Sequence, residues 1–496
     1  MYKIRQIKYS EHSISIQVYK IENRKRKIVR HIGTARNEQE KEDLISLARD
    51  FIKNISKQIL LFEEKESDNI LHLNKTEFIG IYYTYFYELI YRLIITIGFD
   101  KVKSHLLLDL VVIRILEPAS KLRSIVLLEE YFGIKHRRQS YYNVAPQWLS
   151  LKSKIESITL DFARKHYAFE FDLLFYDVTT LYFEAFNEDE LRKNGFSKDN
   201  KSQQPQILVA LMVNKDGLPI AYEVFPGNTF EGHTIVPVIK KFIVKNKVKA
   251  FTVVADAAMI STDNIKHLRE ERIHYIVGAR LGNLSNPLIN EINSTILRED
   301  GKSIRIETDK GFLICSYSST RYKKDKYEME KQIKRAEYMI QNPSKTKRLK
   351  FTKSEGQKLA LNQKLIDKTK KLLGIKGYYT DLEEKLVSND VIIKRYHELY
   401  RIEQAFRISK SDLQTRPIFH FKEDPIKLHL LICFMSLVIS KHVELESGIS
   451  IKKFVQECKK VTDARMLNQI TGKEVRIRAK LTPLLTEILT KFKLLT

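Results

Sequence analysis

Near the start of the chain, apolar Ile14, Ile16 and Val18 alternate with polar Ser13, Ser15 and Gln17. A two-residue period predicts a strand. Glu22-Asn23-Arg24 reads as a turn, and Lys27 to Ile32 as a returning strand. Asn37 then caps a predicted helix running to about Ile59, with acidic residues in its first turn. These elements predict a small α+β module over 1–75. Its basic strands suit a DNA end or packing against the core, and the residues do not choose between the two.

From Phe78 to about Phe169 the pattern turns helical, with apolar runs such as Leu106 to Leu116 and a break at Pro118. A helical module over 76–169 follows, with no chemistry visible in it. Phe78 to Phe99 is long and apolar enough to suggest a membrane span. Glu88 and Arg92 at its middle, four residues apart, would be costly in lipid and can pair on a helix face. The expectation is a buried helix and no membrane.

From Phe171 the texture changes to strands. Phe171 to Asp177 is a short apolar run ending in a carboxylate. Gln206 to Val213 and Leu218 to Phe225 flank the turn Asn214-Lys215-Asp216-Gly217. Thr234 caps a helix with Ile235, Val238, Ile239, Phe242 and Ile243 on its apolar side. Phe251 to Ala255 is a fourth strand ending at Asp256, and Ile273 to Val277 a fifth beyond another helix. This is the first part of an α/β core, 170–281. Residues 282–376 read as a basic insertion. It has predicted strands at Ser303–Glu307 and Gly311–Tyr317, then a helical stretch with Lys323, Lys324, Lys331, Lys334 and Arg335, and a run from Lys345 to Lys350. The core resumes over 377–445 with a long helix from Ser388 to Leu413 and an apolar helix from Pro425 to about His442. A helical tail over 446–496, a candidate dimerisation segment, closes the reading.

Charge changes the picture. The 496 residues carry 86 Lys and Arg against 61 Asp and Glu, a net charge of 86 − 61 = +25. Such an excess attracts a polyanion, with the salt dependence of counterion release. A composition 43% hydrophobic and 30% charged supports buried cores and excludes long disorder. Cys315, Cys433 and Cys458 are too few and too scattered for a disulfide framework or a zinc knuckle. Met1-Tyr2-Lys3-Ile4-Arg5 lacks the apolar core of a signal peptide. The expected location is the cytoplasm.

Candidate chemistry then comes from three carboxylates. Asp177 and Asp256 each end an apolar strand, and they meet if those strands are neighbours. An aspartate that merely ends a strand and starts a turn is the plain alternative. Tyr396, Glu403 and Lys410 recur every seven residues, nearly two helical turns, so a continuous helix puts them on one face. Arg407 lies four past Glu403 on the same face. A surface pair of Glu403 with Arg407 would account for the spacing without function. The functional reading is a metal-binding carboxylate flanked by groups that grip phosphate. Phosphodiester cleavage needs an activated water and a stabilised leaving oxygen, which two Mg2+ ions about 3.5–4 Å apart supply. Mg2+ prefers hard oxygen ligands and keeps several waters, so a few carboxylates suffice.

On these residues the chain resembles the DDE transposases of bacterial insertion sequences, in the branch with a Y-x2-R-x3-E-x6-K pattern. Here that pattern is Tyr396, Leu399, Glu403 and Lys410. Further likeness lies in Ile402 to Arg407, Leu413, Arg416-Pro417, His429, Tyr176 to Thr180, Val254 to Asp256 with Ser261, and Pro226 to Thr229, together covering 171–439. The resemblance implies a ribonuclease-H-like catalytic core interrupted by the insertion. It implies Asp177, Asp256 and Glu403 as ligands of two Mg2+ ions, replaceable by Mn2+, with Tyr396, Lys410 and Arg407 against DNA. It implies double-stranded DNA as partner, both terminal inverted repeats and target, and a homodimer in the synaptic complex of a bacterial, nucleoid-associated protein. The motif arginine is Leu399 here, which moves that cationic contact to Arg401 or Arg407. A nuclease or resolvase without strand transfer, and an inactive DNA-binding derivative, are the alternatives.

Overall fold

The alternation near the start does form a strand. In the computed structural model, β1 (Tyr2–Ser10), β2 (Ser13–Glu22) and β3 (Lys25–Ala35) make an antiparallel sheet covered by α1 (Glu38–Ser56). Ile16, Val18, Ile32 and Ala35 bury against Leu44, Leu47 and Ala48. Asn37 caps α1 as expected: its Oδ1 accepts the Glu40 N–H at 2.8 Å, while the Glu40 carboxylate accepts the Arg36 N–H at 2.7 Å. Reciprocal bonds of this kind satisfy donors that the first helical turn leaves orphaned. The structure describes residues 2–10, 13–22, 24–56, 75–184, 186–196, 203–248, 251–259, 261–342, 349–355, 358–469 and 472–492. The expected helix end at Ile59, the turn residue Asn23 and most of the 345–350 run lie outside them.

The chain divides into two units. One comprises 1–91, 125–136 and 452–496, the other 92–124 and 137–451. In the first, the apolar stretch read as one helix from Phe78 is two elements, β4 (Thr76–Tyr82) and the start of α2 (Thr84–Ile97). The reason is long-range pairing: β4 is a partner of a strand far along the chain, described below.

The second unit holds α3 (His105–Leu116), the start of α4 (Lys121–Phe132), whose later residues belong to the first unit, and then α5 (Arg138–Trp148) and α6 (Lys152–His166), α3 and α4 being separated at Pro118. Its centre is a mixed sheet. The strands are β5 (Leu173–Tyr182), β6 (Gln206–Asn214), β7 (Pro219–Pro226), β8 (Thr252–Ala255), β9 (His274–Ala279), β10 (Ser303–Thr308), β11 (Gly311–Tyr317) and, past the β12 (Thr352–Glu355) and β13 (Lys358–Leu361) hairpin, β14 (Ile375–Thr380). The sheet order is β10-β11-β14-β9-β8-β5-β6-β7. β5, β6 and β7 form an antiparallel meander, whereas β5, β8 and β9 are parallel. Parallel neighbours need crossovers, and α7 (Ile235–Asn246) and α8 (Thr262–Glu270) provide them.

The predicted insertion is therefore only partly separate. Its strands β10 and β11 extend the central sheet through β14, because alternating Leu313 and Cys315 bury against it. After α9 (Asn286–Thr295), helix α10 (Ser319–Gln341) and α11 (Gln363–Lys371) close a small core of their own, with Met329, Ala336, Phe351 and Ile366.

The predicted helix 388–413 is segmented into α12 (Asn389–His397), α13 (Tyr400–Arg407) and a π-helical turn, Ile408–Asp412. Helix α14 (Glu423–Ser447) is long and apolar enough to cross a membrane, but 94% of its most apolar window is buried in the protein. Burial of each Leu or Ile there contributes about 1.5–3 kcal/mol.

The segment expected as a helical tail holds α15 (Ile451–Cys458) and α16 (Pro483–Lys491), and also β15 (Asp463–Asn468) and β16 (Glu474–Arg478). β15 lies between β16 and β4 in a three-stranded sheet of the first unit. Buried Asp463 accepts two bonds from Arg478, and Arg476 and Arg478 both reach Glu88. Glu88 lies nearly four hundred residues before both arginines, a pairing that local periodicity cannot report.

Candidate active site

β5 and β8 are parallel neighbours in register from Leu173 opposite Thr252 to Tyr176 opposite Ala255. The next residue on each is an aspartate, Asp177 and Asp256. Level residues on adjacent strands stand on the same face of a sheet, so the register carried on by one residue sets the two aspartates side by side at the end of the pairing. Asp177 does not end its strand: β5 continues to Tyr182 because β6 pairs with it throughout, Leu211 opposite Asp177. Asp177 is half-buried, and its Oδ1 accepts the Val178 N–H at 2.7 Å. Asp256 is exposed just past β8. Beyond it the Ala257–Met259 turn closes when the Met259 N–H reaches the Asp256 carbonyl.

The third carboxylate, Glu403, is exposed on α13, which packs on β5 and β6. Buried Tyr396, on α12, donates its hydroxyl to Asp256 Oδ1 at 3.3 Å. Burial, with the negative charges of Asp256 and Glu403 behind it, pushes the phenol far above its ordinary value, so it stays protonated and remains a donor. Gly278 on β9 makes room: a Cβ there would collide with the Tyr396 hydroxyl.

One residue at this site was missed in the sequence. Lys376 on β14 holds its ammonium 4.7 Å from the centre of the Tyr396 ring and 5.6 Å from that of Tyr378. Burial and the Arg321 guanidinium hold it below the usual lysine range, against the attraction of Asp256 and Glu403. Lys376 is thus a cation in the field of two of the three carboxylates. Its one sequence signal was being the sole charge in Ile375–Thr380.

The other expected DNA contacts fall differently. Lys410 sits on the π turn and lines a small cavity with Thr179, Leu181 and Phe406. The wide turn takes it off the face that a continuous α-helix would give it. Leu399 is buried. Arg401 packs at the β6–β7 turn, its Cβ 3.2 Å from where a Cβ on Gly217 would lie. Exposed Arg407 and Arg401 both bear on Lys441 of α14. Ser261 and Gly227 have structural work. Ser261 caps α8 by accepting the Asn264 N–H at 3.0 Å, and any Cβ on Gly227 would strike the Gln206 and Lys193 carbonyls.

Asp177, Asp256 and Glu403 offer hard carboxylate oxygens, the donor type that divalent Mg2+ and Mn2+ prefer. The set is open: among the described residues, the group of three potential ligands that closes to within 4.8 Å is His166, His442 and Glu446, elsewhere in the unit.

A family model described as the transposase DDE domain matches residues 170–439, more than half of the chain. The chain belongs to the DDE transposases. The match spans all three carboxylates, Tyr396 and Lys376, and members of this family use divalent metal ions. No curated protein sequence matches this transposase. Among solved structures, a piggyBac transposase in a cryo-EM synaptic complex with hairpin DNA aligns at 12% identity and a TM-score of 0.37. The alignment covers 84% of this chain and 76% of that one. That likeness is too distant to bear on function.

Proposed function

We propose that this transposase binds the terminal inverted repeats of its own insertion sequence, cleaves DNA at the element ends and transfers the freed 3′-hydroxyl strands into target DNA. The observation that carries the reading is the register of β5 with β8, which sets Asp177 level with Asp256. The meander followed by parallel strands supports a ribonuclease-H-like core. In this reading Asp177, Asp256 and Glu403 hold two Mg2+ ions, with Mn2+ able to replace them. The ions would activate the attacking oxygen and stabilise the leaving one.

The protein's own groups do the rest. Tyr396 orients Asp256 by hydrogen bonding to Oδ1 and leaves its other oxygen for a ligand. Lys376 offsets part of the carboxylate charge from the β14 side and keeps a donor beside an incoming phosphate. The partner is double-stranded DNA, consistent with the net charge of +25. Two ends held at once call for a homodimer. The setting is the bacterial cytoplasm, at the nucleoid.

The test is cleavage of a labelled duplex carrying the element's end, in Mg2+, by wild type and by Glu403→Gln. Nicked 3′ ends with joined products from wild type, and binding without cutting by the variant, are expected. Nicks with no joined product would replace the proposal by a nuclease. Binding without cutting by both proteins, in Mg2+ and in Mn2+, would overturn the metal-site assignment.

A further inference from the structure

A second charged place in the same unit is built of buried cations. Arg114 on α3 and Lys121 at the start of α4 are each 4% exposed. Both point at one atom: Arg114 Nη2 and Lys121 Nζ each lie 3.1 Å from Nδ1 of His429, itself buried on α14. The other ring nitrogen, Nε2, lies 3.0 Å from the Thr415 carbonyl, which can only accept. The proton is therefore on Nε2, and Nδ1 has one lone pair for two cationic donors. His420, its ring 5.8 Å from that of His429, adds a second imidazole. Among the described residues neither Arg114 nor Lys121 has a carboxylate in ion-pair reach. Asp424 lines the same cavity but is exposed.

Buried cations without counter-charge are expensive, and proteins pair or neutralise them. Burial first, and Arg114 second, hold Lys121 well below the usual lysine range. The cations line a cavity of about 420 Å³, large enough for a nucleotide-sized ligand. Tyr142 and Phe419, both substantially exposed, line it too. Aromatic faces beside cations are the recurring combination for a strand of nucleic acid.

We propose that this cavity is a phosphoryl-anion site, in which Arg114 and Lys121 grip a phosphate, with Tyr142 and Phe419 against the sugar and base of a nucleotide. The anion supplies the missing counter-charge and retains the proton on Lys121. The site adjoins the catalytic helix through its floor: His429 holds Thr415, and Thr415 in turn bonds Ser409 of the π turn. Occupancy would stiffen the segment that follows Glu403. The phosphate can come from a DNA strand or from a free phosphate ester. The site stands whether or not the carboxylates cut DNA.

Thermal unfolding of the full chain tests it, in chloride at constant ionic strength, with inorganic phosphate or a mixed-sequence duplex as probe. Phosphate should raise Tm over chloride by about 2–4 °C at roughly a hundred-fold excess over Kd. In Lys121→Met that rise should vanish while the anion-free Tm is unchanged or higher, because an unpaired buried ammonium gives way to an apolar chain. Should Lys121→Met not fold, Lys121→Gln and Arg114→Gln read the same loss. If phosphate adds nothing once duplex is saturating, the source is DNA. If the two rises add, it is a free ester. A phosphate rise no larger than that of chloride, or one equal in the variants, overturns the proposal.

Discussion

Around Asp256 and around His429, the second unit gathers charge on opposite plans. At the first, opposite signs face each other: two carboxylates act on one lysine, and a phenol donates to Asp256. At the second, two cations share one lone pair. The first is partly open to water, with Asp256 and Glu403 exposed; in the second Arg114, Lys121 and His429 are all buried. The first cluster keeps more negative charge than Lys376 offsets and would take added cations. The second holds more positive charge than it can satisfy and would take an anion.

The contrast breaks most sharply at the carboxylates. Asp177→Asn, Asp256→Asn and Glu403→Gln should each lower DNA cleavage by at least on the order of 10²–10³-fold, the cost of losing one preorganised electrostatic contact. Tm should hardly change at exposed Asp256 and Glu403, and should change somewhat more at half-buried Asp177, whose carboxylate accepts the Val178 N–H. A gel assay with matched melts checks this. Next comes Lys376→Met, expected to cost about 10–100-fold in cleavage, as the loss of an outer-shell partner does, with partial recovery in Lys376→Arg. Wild-type cleavage by Lys376→Met would show that its charge is incidental.

Leu399→Arg sharpens the comparison differently. It restores the motif arginine to a site that is only 8% exposed, so it should destabilise by about 1–3 kcal/mol and not raise cleavage. Denaturant melts read the first part and the nicking assay the second. The smallest effect is a pH slope at the cationic pocket. Burial, then Lys121 and Arg114, lower His420 from 6.5 to about 4. Between those values the unfolded chain binds a proton that the folded one refuses, so stability falls as pH drops through that window. His420→Gln should flatten the slope of Tm against pH there. His429 contributes in the same direction, also lowered by burial and the two cations.

Much of the catalytic unit was legible because its strands are short apolar runs bounded by turns. β6, β8, β9 and β11 fall within two residues of the ranges read from periodicity. Asp177 and Asp256 were legible as carboxylates following apolar runs, and Glu403 by its seven-residue spacing from Tyr396 and Lys410; the parallel pairing that ends just before the two aspartates is what the structure adds. Lys376 was not legible: one lysine in a strand is ordinary, and its value comes from Tyr396 and Asp256, distant in sequence. Arg114 left a trace, the lone cation in an otherwise apolar stretch from Leu110 to Leu116. The helical module was nevertheless read as free of chemistry, because the partner that gives Arg114 meaning, His429, is 315 residues away. β15 was invisible for the same reason, its pairing with β4 being entirely long-range, and β16 joins that sheet only through β15.

The turn at Ile408–Asp412 has a consequence for lineage and engineering alike. Its hydrogen bond runs from the Leu413 N–H to the Ile408 carbonyl, 2.9 Å, one residue wider than an α-turn. A helix converts each added residue into about 100° of rotation. Deleting one residue between Arg407 and Leu413 would therefore let an unbroken helix form, and every side chain after it would swing to a new azimuth. Such a deletion would tidy the backbone and misdirect everything downstream, from Lys410 to the Thr415 carbonyl under His429.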